Sequence, residues 1–263
     1  MIRIGIGQIE PRLMDCEHNV QQLKDILTEA TSSGIEVLVL PELCNSGYAF
    51  DSKDEAQACA ESIPEGEFSQ NLREWSKDNR LVVAGVCEKT SDGLYNSAAA
   101  FRQGKHITTY RKVHLFNLEK DWFLQGTKEP PVIGFRQYHF GIMVCWDWVF
   151  PEMARILAIK GAQVILHPAN LVLAYCQNAM ITRSIENGVF SVTANRVGQE
   201  RELSFSGKSQ VVNPKGKILL KMNEAEVGVK WIDIEPIIAD SKMLTKRNHL
   251  LKDRRPDIYK KLI

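Results

Sequence analysis

Three residues with reactive side chains follow three short apolar segments of the chain. Glu42 follows VLVLP, Lys112 follows ITTYR, and Cys145 follows GIMV. Each segment is rich in β-branched residues and precedes a loop signal, which predicts a buried strand that ends at the reactive residue. A carboxylate, an ammonium and a thiol at one sheet edge provide a base, an electrostatic stabiliser and a nucleophile. This set predicts cysteine-dependent acyl chemistry.

The sequence around Cys145 favours a reactive thiol over an inert one. The segment WDWVFPE follows it, dense in aromatic and acidic residues, whereas most buried cysteines only pack as small apolar groups. A thiol that enters a tight turn at a strand end has backbone N–H groups nearby, which can hold a developing oxyanion. A free thiol has a pKa of about 8.5, so it needs help at neutral pH. We expect Lys112 to lower that pKa, or Glu42 to accept the proton.

Composition excludes several classes of function. The chain has 263 residues and a formal net charge of +1, so no global field favours nucleic acid, anionic lipid or acidic substrates. No signal-peptide pattern and no apolar segment of membrane-spanning length is present, which predicts no membrane partner. Six scattered cysteines without a CxxC pair predict neither a metal site nor a disulfide framework. These features predict a cytoplasmic protein.

Short apolar segments predict strands, and apolar residues at helical spacing predict helices between them. The apolar residues from Val20 to Ala30 mark one face of a helix that Gly34 can end. The predicted strands are IRIGIGQI, IEVLVLP, LVVAGVCE, YNSAAAFR, KHITTYRK, YHFGIMVC, AQVILHP, VFSVTAN, the hairpin SQVVNPKGKILL and EVGVKWIDI. No Pro-, Gly- or Ser-rich linker divides them. The pattern predicts one α/β domain over 1–263, with one mixed sheet or two stacked sheets flanked by helices.

The last part of the chain, 241–263, differs from the rest. It is polar and basic, with a few large apolar residues such as Leu244, Leu250 and Ile258. A segment of this composition does not fold alone. We expect it to pack on the body of the protein or at an oligomer interface, and we favour the interface.

Three longer segments resemble the signature segments of the nitrilase, or carbon–nitrogen hydrolase, superfamily. These are PELCNSGY, YRKVHLFNLE and VCWDWVFPE, and the shorter segments IPEG, LYNSA and HPAN occur in the expected order among them. The resemblance covers almost the whole chain. It implies a four-layer αββα sandwich of two mixed β-sheets flanked by helices, assembled as a homodimer or a larger homo-oligomer.

The resemblance also implies roles for individual residues. Its Glu–Lys–Cys triad falls on Glu42, Lys112 and Cys145, and its second glutamate, which positions substrate and lysine, falls on Glu119. No metal or organic cofactor is implied. Together with Lys112, the backbone N–H of Trp146 would stabilise the oxyanion.

The substrate is predicted to be a small amide, either a carboxamide or an N-carbamoyl amine. WDWVFPE looks more like the amidase and N-carbamoyl-amine hydrolase branches than the true nitrilases, where a glutamate usually takes the place of Asp147. Asn170 follows a predicted strand and can hydrogen-bond the substrate, while Trp122, Phe123, Trp146 and Trp148 suggest a restricted apolar pocket. Two alternatives use the same triad: a nitrilase that acts on a small nitrile, and an acyltransferase that passes the thioester to an amine.

Functions outside this chemistry are disfavoured. A papain-like protease needs a histidine base, but His114, His139 and His167 lie in no segment that resembles that family. A binding protein on the same fold would be expected to lose a triad member. A nucleic-acid role would depend on the basic residues of the tail alone, and Asp253 and Asp257 interrupt them.

Overall fold

The apolar segments form two mixed sheets of six strands each. The computed structural model describes residues 1–262. In chain order the strands are Ile2–Gln8 (β1), Val37–Val39 (β2), Leu81–Lys89 (β3), Leu94–Arg102 (β4), Lys105–Arg111 (β5), Val132–Phe135 (β6), Tyr138–Ile142 (β7), Val164–Ala169 (β8), Phe190–Asn195 (β9), Gln199–Glu200 (β10), Leu203–Ser204 (β11), Gln210–Val212 (β12), Ile218–Lys221 (β13) and Gly228–Ile234 (β14).

The helices lie between these strands. They are Cys16–Ser32 (α1), Lys53–Cys59 (α2), Glu67–Trp75 (α3), Glu119–Trp122 (α4), Pro151–Ile159 (α5) and Cys176–Asn187 (α6), with 3₁₀ turns at Cys145–Val149, Pro236–Asp240 and Lys260–Leu262. The side chain of Asp15 caps α1 by accepting from the His18 N–H at 3.1 Å. Beyond the end of α1, Gly34 takes a positive φ of 65°, as the sequence predicts.

The two sheets share one arrangement. The first has the order β14-β1-β2-β3-β4-β5. The second, written in the corresponding direction, has the order β6-β7-β8-β9-β12-β13. In each sheet three central strands run parallel, β1-β2-β3 in the first and β7-β8-β9 in the second. The strands on either side of each parallel set are antiparallel. Each parallel set therefore directs three carboxyl ends to one edge of its sheet.

The main core lies between the sheets. Alternate residues of β1, such as Ile4 and Ile6, belong to the same buried cluster as Val164 and Val192 of the second sheet. Leu38 faces the other way, in a cluster with residues of α1 and α3. Because helices cover the outer faces, β2 is buried on both sides, which explains its continuous apolar sequence. Helices α5 and α6 pack on β7 and β9, so the expected αββα layers are confirmed.

The structure departs from the sequence prediction in several short elements, which include β10, β11 and α4. Strand β6, Val132–Phe135, was not predicted, because it is a four-residue edge strand that contains a glycine. Strand β7 ends at Ile142, so Cys145 is not the last residue of a strand. It begins the 3₁₀ turn that follows, and Glu42 likewise lies beyond β2 in a turn.

The tail only partly packs on the body. The Lys242 ammonium donates to the Gly188 carbonyl at 2.8 Å, and Leu251 packs against the core between the sheets. Leu244 and Ile258 are exposed. Residue 263 lies outside the described part of the chain. Over residues 1–262, none of the helices combines the length and the apolar character needed to cross a membrane.

Candidate active site

The fold brings Glu42, Lys112 and Glu119 into direct contact. Lys112 Nζ lies 2.7 Å from Glu42 Oε1 and 2.8 Å from both carboxylate oxygens of Glu119. All three side chains are buried. Burial lowers the pKa of Lys112, but the charges of Glu119 and Glu42 outweigh burial and raise that pKa above its ordinary value. Lys112 is therefore a fixed cation and cannot serve as a base.

The Glu119 carboxylate has donors on both oxygens. Besides Lys112, Oε1 accepts from the Tyr48 hydroxyl at 2.8 Å, and Oε2 accepts from the Phe116 N–H at 3.3 Å. The Asn96 amide lies 3.4 Å from Oε2. Burial raises the pKa of Glu119, and the neighbouring Lys112 charge opposes that rise. These contacts hold the carboxylate in position and leave it little capacity to accept a further proton.

The Glu42 carboxylate differs because one of its oxygens has no donor. Oε1 accepts from Lys112 and from Asn96 Nδ2 at 2.7 Å. Oε2 is buried and has no hydrogen-bond partner within residues 1–262. A buried acceptor without a partner is costly, and such groups in native structures often serve a function. This oxygen can accept a proton from a thiol, a water or a substrate amine.

A glycine on β3 allows the Glu42 turn to reach this position. The Gly85 N–H donates to the Pro41 carbonyl at 2.8 Å, and the Gly85 carbonyl accepts from the Cys44 N–H at 2.9 Å. A Cβ at position 85 would lie 2.3 Å from the Cα of Glu42. Any other residue at this position would push the backbone of the turn away from β3.

Cys145 sits in a strained turn that Asp147 stabilises. Its φ is +37°, a region that residues with a side chain rarely adopt outside functional sites. The buried Asp147 Oδ2 accepts from the Val144 N–H at 2.9 Å and from the Tyr110 hydroxyl at 2.8 Å. The turn starts a 3₁₀ helix, whose first N–H groups, including that of Trp146, have no acceptor within the helix.

The histidines near the site are bound to groups other than the sulfur. His167 Nε2 lies 3.0 Å from the Cys145 carbonyl oxygen, and its Nδ1 lies 3.1 Å from the Thr193 hydroxyl. Burial lowers the pKa of His167 to about 4, so the ring is neutral at neutral pH. His114 Nδ1 lies 2.8 Å from Asp147. These rings support the backbone and the turn, which does not match the histidine base of a papain-like protease.

The Cys145 thiol is protonated in the resting site. Burial and the Glu42 carboxylate raise its pKa well above the ordinary value, although Lys112 opposes them. Lys112 does lower this pKa, as expected, but burial and the carboxylates outweigh its charge. A protonated thiol attacks only when a base removes its proton during the reaction.

Cys145, Trp146 and Asn170 line one small cleft together with Phe116. The cleft has a volume of about 20 Å³, and about 10–15 Å³ is enough for one water molecule. Asn170 is buried, and neither its Oδ1 nor its Nδ2 has a partner within residues 1–262. Its backbone carbonyl lies 3.8 Å from Cys145 Sγ. An unpaired donor and an unpaired acceptor thus stand beside the thiol.

Only some of the aromatic residues expected at the pocket lie there. The Trp146 ring is 4.8 Å from Phe116 and 5.8 Å from Trp148, centroid to centroid, and all three line the cleft. Phe123 packs in a separate core, and Trp122 lines a larger neighbouring cleft with Glu119. Since the Phe116 N–H binds Glu119 and its ring lines the thiol cleft, this residue connects the charged cluster to the thiol.

Two site residues were missed from the sequence, Asn96 and Tyr48. Both lie inside segments that carry the family resemblance, LYNSA and PELCNSGY. An asparagine within a strand and a tyrosine within a loop are ordinary structural residues, so residue type alone does not single them out. No group of three or more His, Cys, Asp or Glu side chains within residues 1–262 is placed to hold a metal ion.

Known proteins are similar to this chain in sequence and in fold. The sequence model of the family described as carbon-nitrogen hydrolase matches residues 3–239, and the chain belongs to this family. It is 40% identical over 265 residues to a nitrilase of Pyrococcus abyssi, covering 98% of this chain and 99% of the relative. It is 28% identical over 257 residues to an omega-amidase of Homo sapiens, covering 92% and 91% of the two chains.

A solved structure supports the same assignment. The fold matches an amidase from Nesterenkonia sp. with a TM-score of 0.83 at 27% identity, covering 100% of this chain and 96% of that one. Sequence and fold thus define a carbon–nitrogen hydrolase enzyme in the amidase-like branch of the nitrilase superfamily.

Proposed function

We propose that this enzyme hydrolyses the C–N bond of a small amide, a carboxamide or an N-carbamoyl amine, through a thioester on Cys145. The observation that carries the proposal is the buried, unpartnered Oε2 of Glu42 in the same site as a protonated thiol. Glu119 is a poor base by comparison because both of its oxygens have donors. This difference supports Glu42 as the base.

The first half of the reaction forms the thioester. Glu42 accepts the thiol proton as Cys145 Sγ attacks the substrate carbonyl carbon, and the carbonyl π electrons move to oxygen. The Lys112 ammonium and the Trp146 N–H stabilise this oxyanion, and removal of one such donor typically costs about 3 kcal/mol. When the oxyanion collapses, Glu42 donates the proton to the leaving nitrogen. The C–N bond breaks, and ammonia or an amine departs.

The second half releases the acid. A water molecule attacks the thioester carbonyl while Glu42 accepts a proton from it. Collapse of this second oxyanion breaks the C–S bond, and the proton returns to the sulfur. The same base and the same oxyanion donors therefore serve both halves.

The unpaired amide of Asn170 supports an amide substrate. Its Nδ2 can donate to a carbonyl oxygen and its Oδ1 can accept from an N–H, and a primary amide offers both groups. In structures of the Nesterenkonia amidase, the active-site cysteine carries the acetamide moiety of fluoroacetamide, and a variant binds butyramide. These ligands support short aliphatic amides over bulky ones.

A small nitrile is the second candidate substrate, because the Pyrococcus abyssi relative is a nitrilase. Attack on a nitrile carbon would give a thioimidate in place of the first oxyanion, and two water molecules would be consumed. Asn170 could donate to the nitrile nitrogen but would lack a donor for its Oδ1. The geometry therefore supports the amide more fully.

The test is ammonia release from simple amides, omega-amides of dicarboxylic acids, N-carbamoyl amines and nitriles. The wild type is compared with Cys145→Ala and with Cys59→Ala, which removes a buried thiol from the end of α2. We expect release from an amide class that disappears in Cys145→Ala and persists in Cys59→Ala. Turnover only with an added acceptor amine would instead indicate an acyltransferase, and release that survives Cys145→Ala would contradict the thiol mechanism.

We also propose that the enzyme acts in the cytoplasm as a homodimer or a larger homo-oligomer, with 241–263 at the interface. All six cysteines are free, which suits a reducing compartment. Leu244 and Ile258 expose 65% and 68% of their surface, a feature typical of an interface. Deletion of 241–263 should lower the number of subunits per particle measured by sedimentation velocity. An unchanged number of subunits would contradict this assignment.

A further inference from the structure

A buried ion pair lies behind the active site. Arg196 follows β9 and is fully buried, and its guanidinium pairs with the carboxylate of Glu200 on β10. The guanidinium also donates to the Pro11 carbonyl at 2.7 Å and lies 4.0 Å from the centre of the Phe205 ring. Because removing both charges from water is costly, a buried ion pair is weak evidence of a contribution to stability alone. The position of Glu200 next to the loop that follows Glu42 suggests a role in the active site.

The second oxygen of Glu200 holds the loop that follows Glu42. Glu200 Oε2 accepts from two consecutive N–H groups, those of Tyr48 at 2.8 Å and Ala49 at 2.9 Å. Gly47 fits here because its φ is +79° and a Cβ there would lie 2.6 Å from the Cα of Leu13 and 2.7 Å from Glu200 Oε1. Glu200, on the short β10–β11 hairpin that follows β9, thus fixes the loop that follows β2 of the first sheet.

Tyr48 extends this contact to the charged cluster. Its hydroxyl donates to Glu119 Oε1 at 2.8 Å, and both oxygens of Glu119 accept from Lys112. Its ring stands edge-on to Phe205 with 6.0 Å between the ring centres. Arg196, Glu200, Tyr48, Glu119 and Lys112 therefore form one continuous series of contacts.

We infer that Glu200, held by Arg196, is a positioning residue that sets the Tyr48 hydroxyl on Glu119 and thereby fixes the Lys112 ammonium. The inference rests on the proposed function of Lys112 as the oxyanion stabiliser. A displaced hydroxyl would leave Glu119 Oε1 bound to Lys112 alone, and the two groups would gain freedom to move. A small displacement of an oxyanion donor lowers kcat more than it raises KM. Burial raises the pKa of Tyr48 well above its ordinary value, so the phenol remains a donor throughout the working pH range.

The test is a double-mutant cycle on kcat with Tyr48→Phe, Glu200→Gln and the double variant. Tyr48→Phe removes one hydroxyl and keeps the ring, so kcat should fall about 10- to 100-fold, the size expected for a hydrogen bond to a charged group. KM should change little. Glu200→Gln should act through the same hydroxyl, so the double variant should be no slower than the slower single variant. Losses that multiply, or an unchanged kcat in Tyr48→Phe, would overturn the inference.

A second variant covers the case in which Glu200→Gln does not fold because Arg196 is left unpaired. Glu200→Asp keeps the charge that pairs with Arg196 but shortens the side chain, and its loss of kcat should also vanish in the Tyr48→Phe background. Glu55→Gln is the control, because Glu55 on α2 pairs with Arg201, the neighbour of Glu200, at the protein surface. We expect its kcat to equal that of the wild type, and a loss as large as that of Glu200→Gln would contradict a specific role.

A substrate-free measurement separates this inference from the proposed function. Alkylation of Cys145 by iodoacetamide is followed against pH, with the labelled peptide identified by mass spectrometry. Because the Lys112 ammonium stabilises a thiolate in this site, loss of its position in Tyr48→Phe should lower the alkylation rate at each pH. Absence of amide hydrolysis in the wild type would contradict only the proposed function. An unchanged alkylation profile in Tyr48→Phe would contradict the positioning role.

Discussion

The two sheets have the same strand order, but their equivalent edges carry opposite kinds of groups. The first sheet supplies Glu42, Lys112 and Glu119, which are charged and bound to one another at 2.7–2.8 Å. The second sheet supplies Cys145, which is neutral and strained, and Asn170, whose amide has no partner within residues 1–262. The first sheet therefore holds the paired charges, and the second holds the thiol and an amide without a partner in the described chain.

The two sheets also differ at equivalent strand ends, those of β1 and β7. Strands β1 and β7 are each the second strand from one edge and the first of the three parallel strands. Even so, the side chain of Gln8 at the end of β1 is held by hydrogen bonds on both its oxygen and its nitrogen. It donates to the carbonyls of Asn223 and Glu226 at 2.8 and 2.6 Å and accepts from Ser209. Cys145, just beyond β7, keeps its sulfur available for chemistry. Strand topology thus provides the places, while local hydrogen bonding decides which places become reactive.

The largest expected effect tests whether the free oxygen of Glu42 is the base. Glu42→Gln should lower kcat by about 10²- to 10⁴-fold, the usual contribution of a general base. The matched control is Glu88→Gln, which neutralises another buried carboxylate of the first sheet, paired with Arg111 and Ser97. Steady-state kinetics should show a large loss only for Glu42→Gln. Equal losses would mean that the first sheet contributes charge in general and not a particular base.

The next effect concerns the support that neutral His167 gives to the second sheet. Its pKa is about 4 when folded against an ordinary 6.5, so the unfolded chain binds the proton first as the pH falls. The stability from the neutral ring is complete above pH 6.5 and is lost on acidification towards pH 4, by about 3 kcal/mol at roughly 1.4 kcal/mol per pKa unit. The free energy of unfolding, measured with urea, should therefore fall more steeply between pH 7 and pH 4 for the wild type than for His167→Gln. Parallel curves would show that His167 does not titrate in this way.

A smaller effect separates binding groups from structural ones on the second sheet. Asn170→Ala should lower kcat/KM by about 10- to 100-fold, since it removes hydrogen bonds to the substrate. It should leave the free energy of unfolding unchanged or higher, because the Asn170 amide has no partner in the described chain. Asn195→Ala is the comparison: Asn195 accepts from the Leu171 N–H at 2.8 Å, so its loss should destabilise the fold. A destabilised Asn170→Ala with normal kcat/KM would reverse the assignment.

The smallest effect tests the close approach that positions Glu42. Gly85→Ala should cost about 1–3 kcal/mol of stability, as overpacking does, and should lower kcat several-fold. Gly134→Ala is the control on the second sheet, because a Cβ there meets no atom within 4 Å. Chemical denaturation and kinetics on both variants check this. Similar behaviour of the two variants would show that the Glu42 turn tolerates displacement.

Much of the fold and the core of the site were predictable from local patterns. The strands that precede Glu42, Lys112 and Cys145, the helix ended by Gly34 and the αββα layers all follow from periodicity or from signature segments. Strand β6 was not predictable, because four residues with one glycine give no clear period. Tyr48 and Asn96 were missed because their functions depend on partners far away in the chain.

The sequence by itself determined the candidate residues: residue type and position after apolar segments single out Glu42, Lys112 and Cys145, and the family resemblance adds Glu119. Only the tertiary structure decided how these residues differ in hydrogen bonding and in pKa. Glu119 is saturated and Glu42 is not, because Tyr48, Phe116 and Asn96 arrive from separate segments. The thiol pKa is raised because burial outweighs the Lys112 charge, and neither depth nor distance can be read from a linear pattern. Hydrogen-bond saturation and desolvation depend on non-local packing, and they turn a set of reactive residues into an ordered active site.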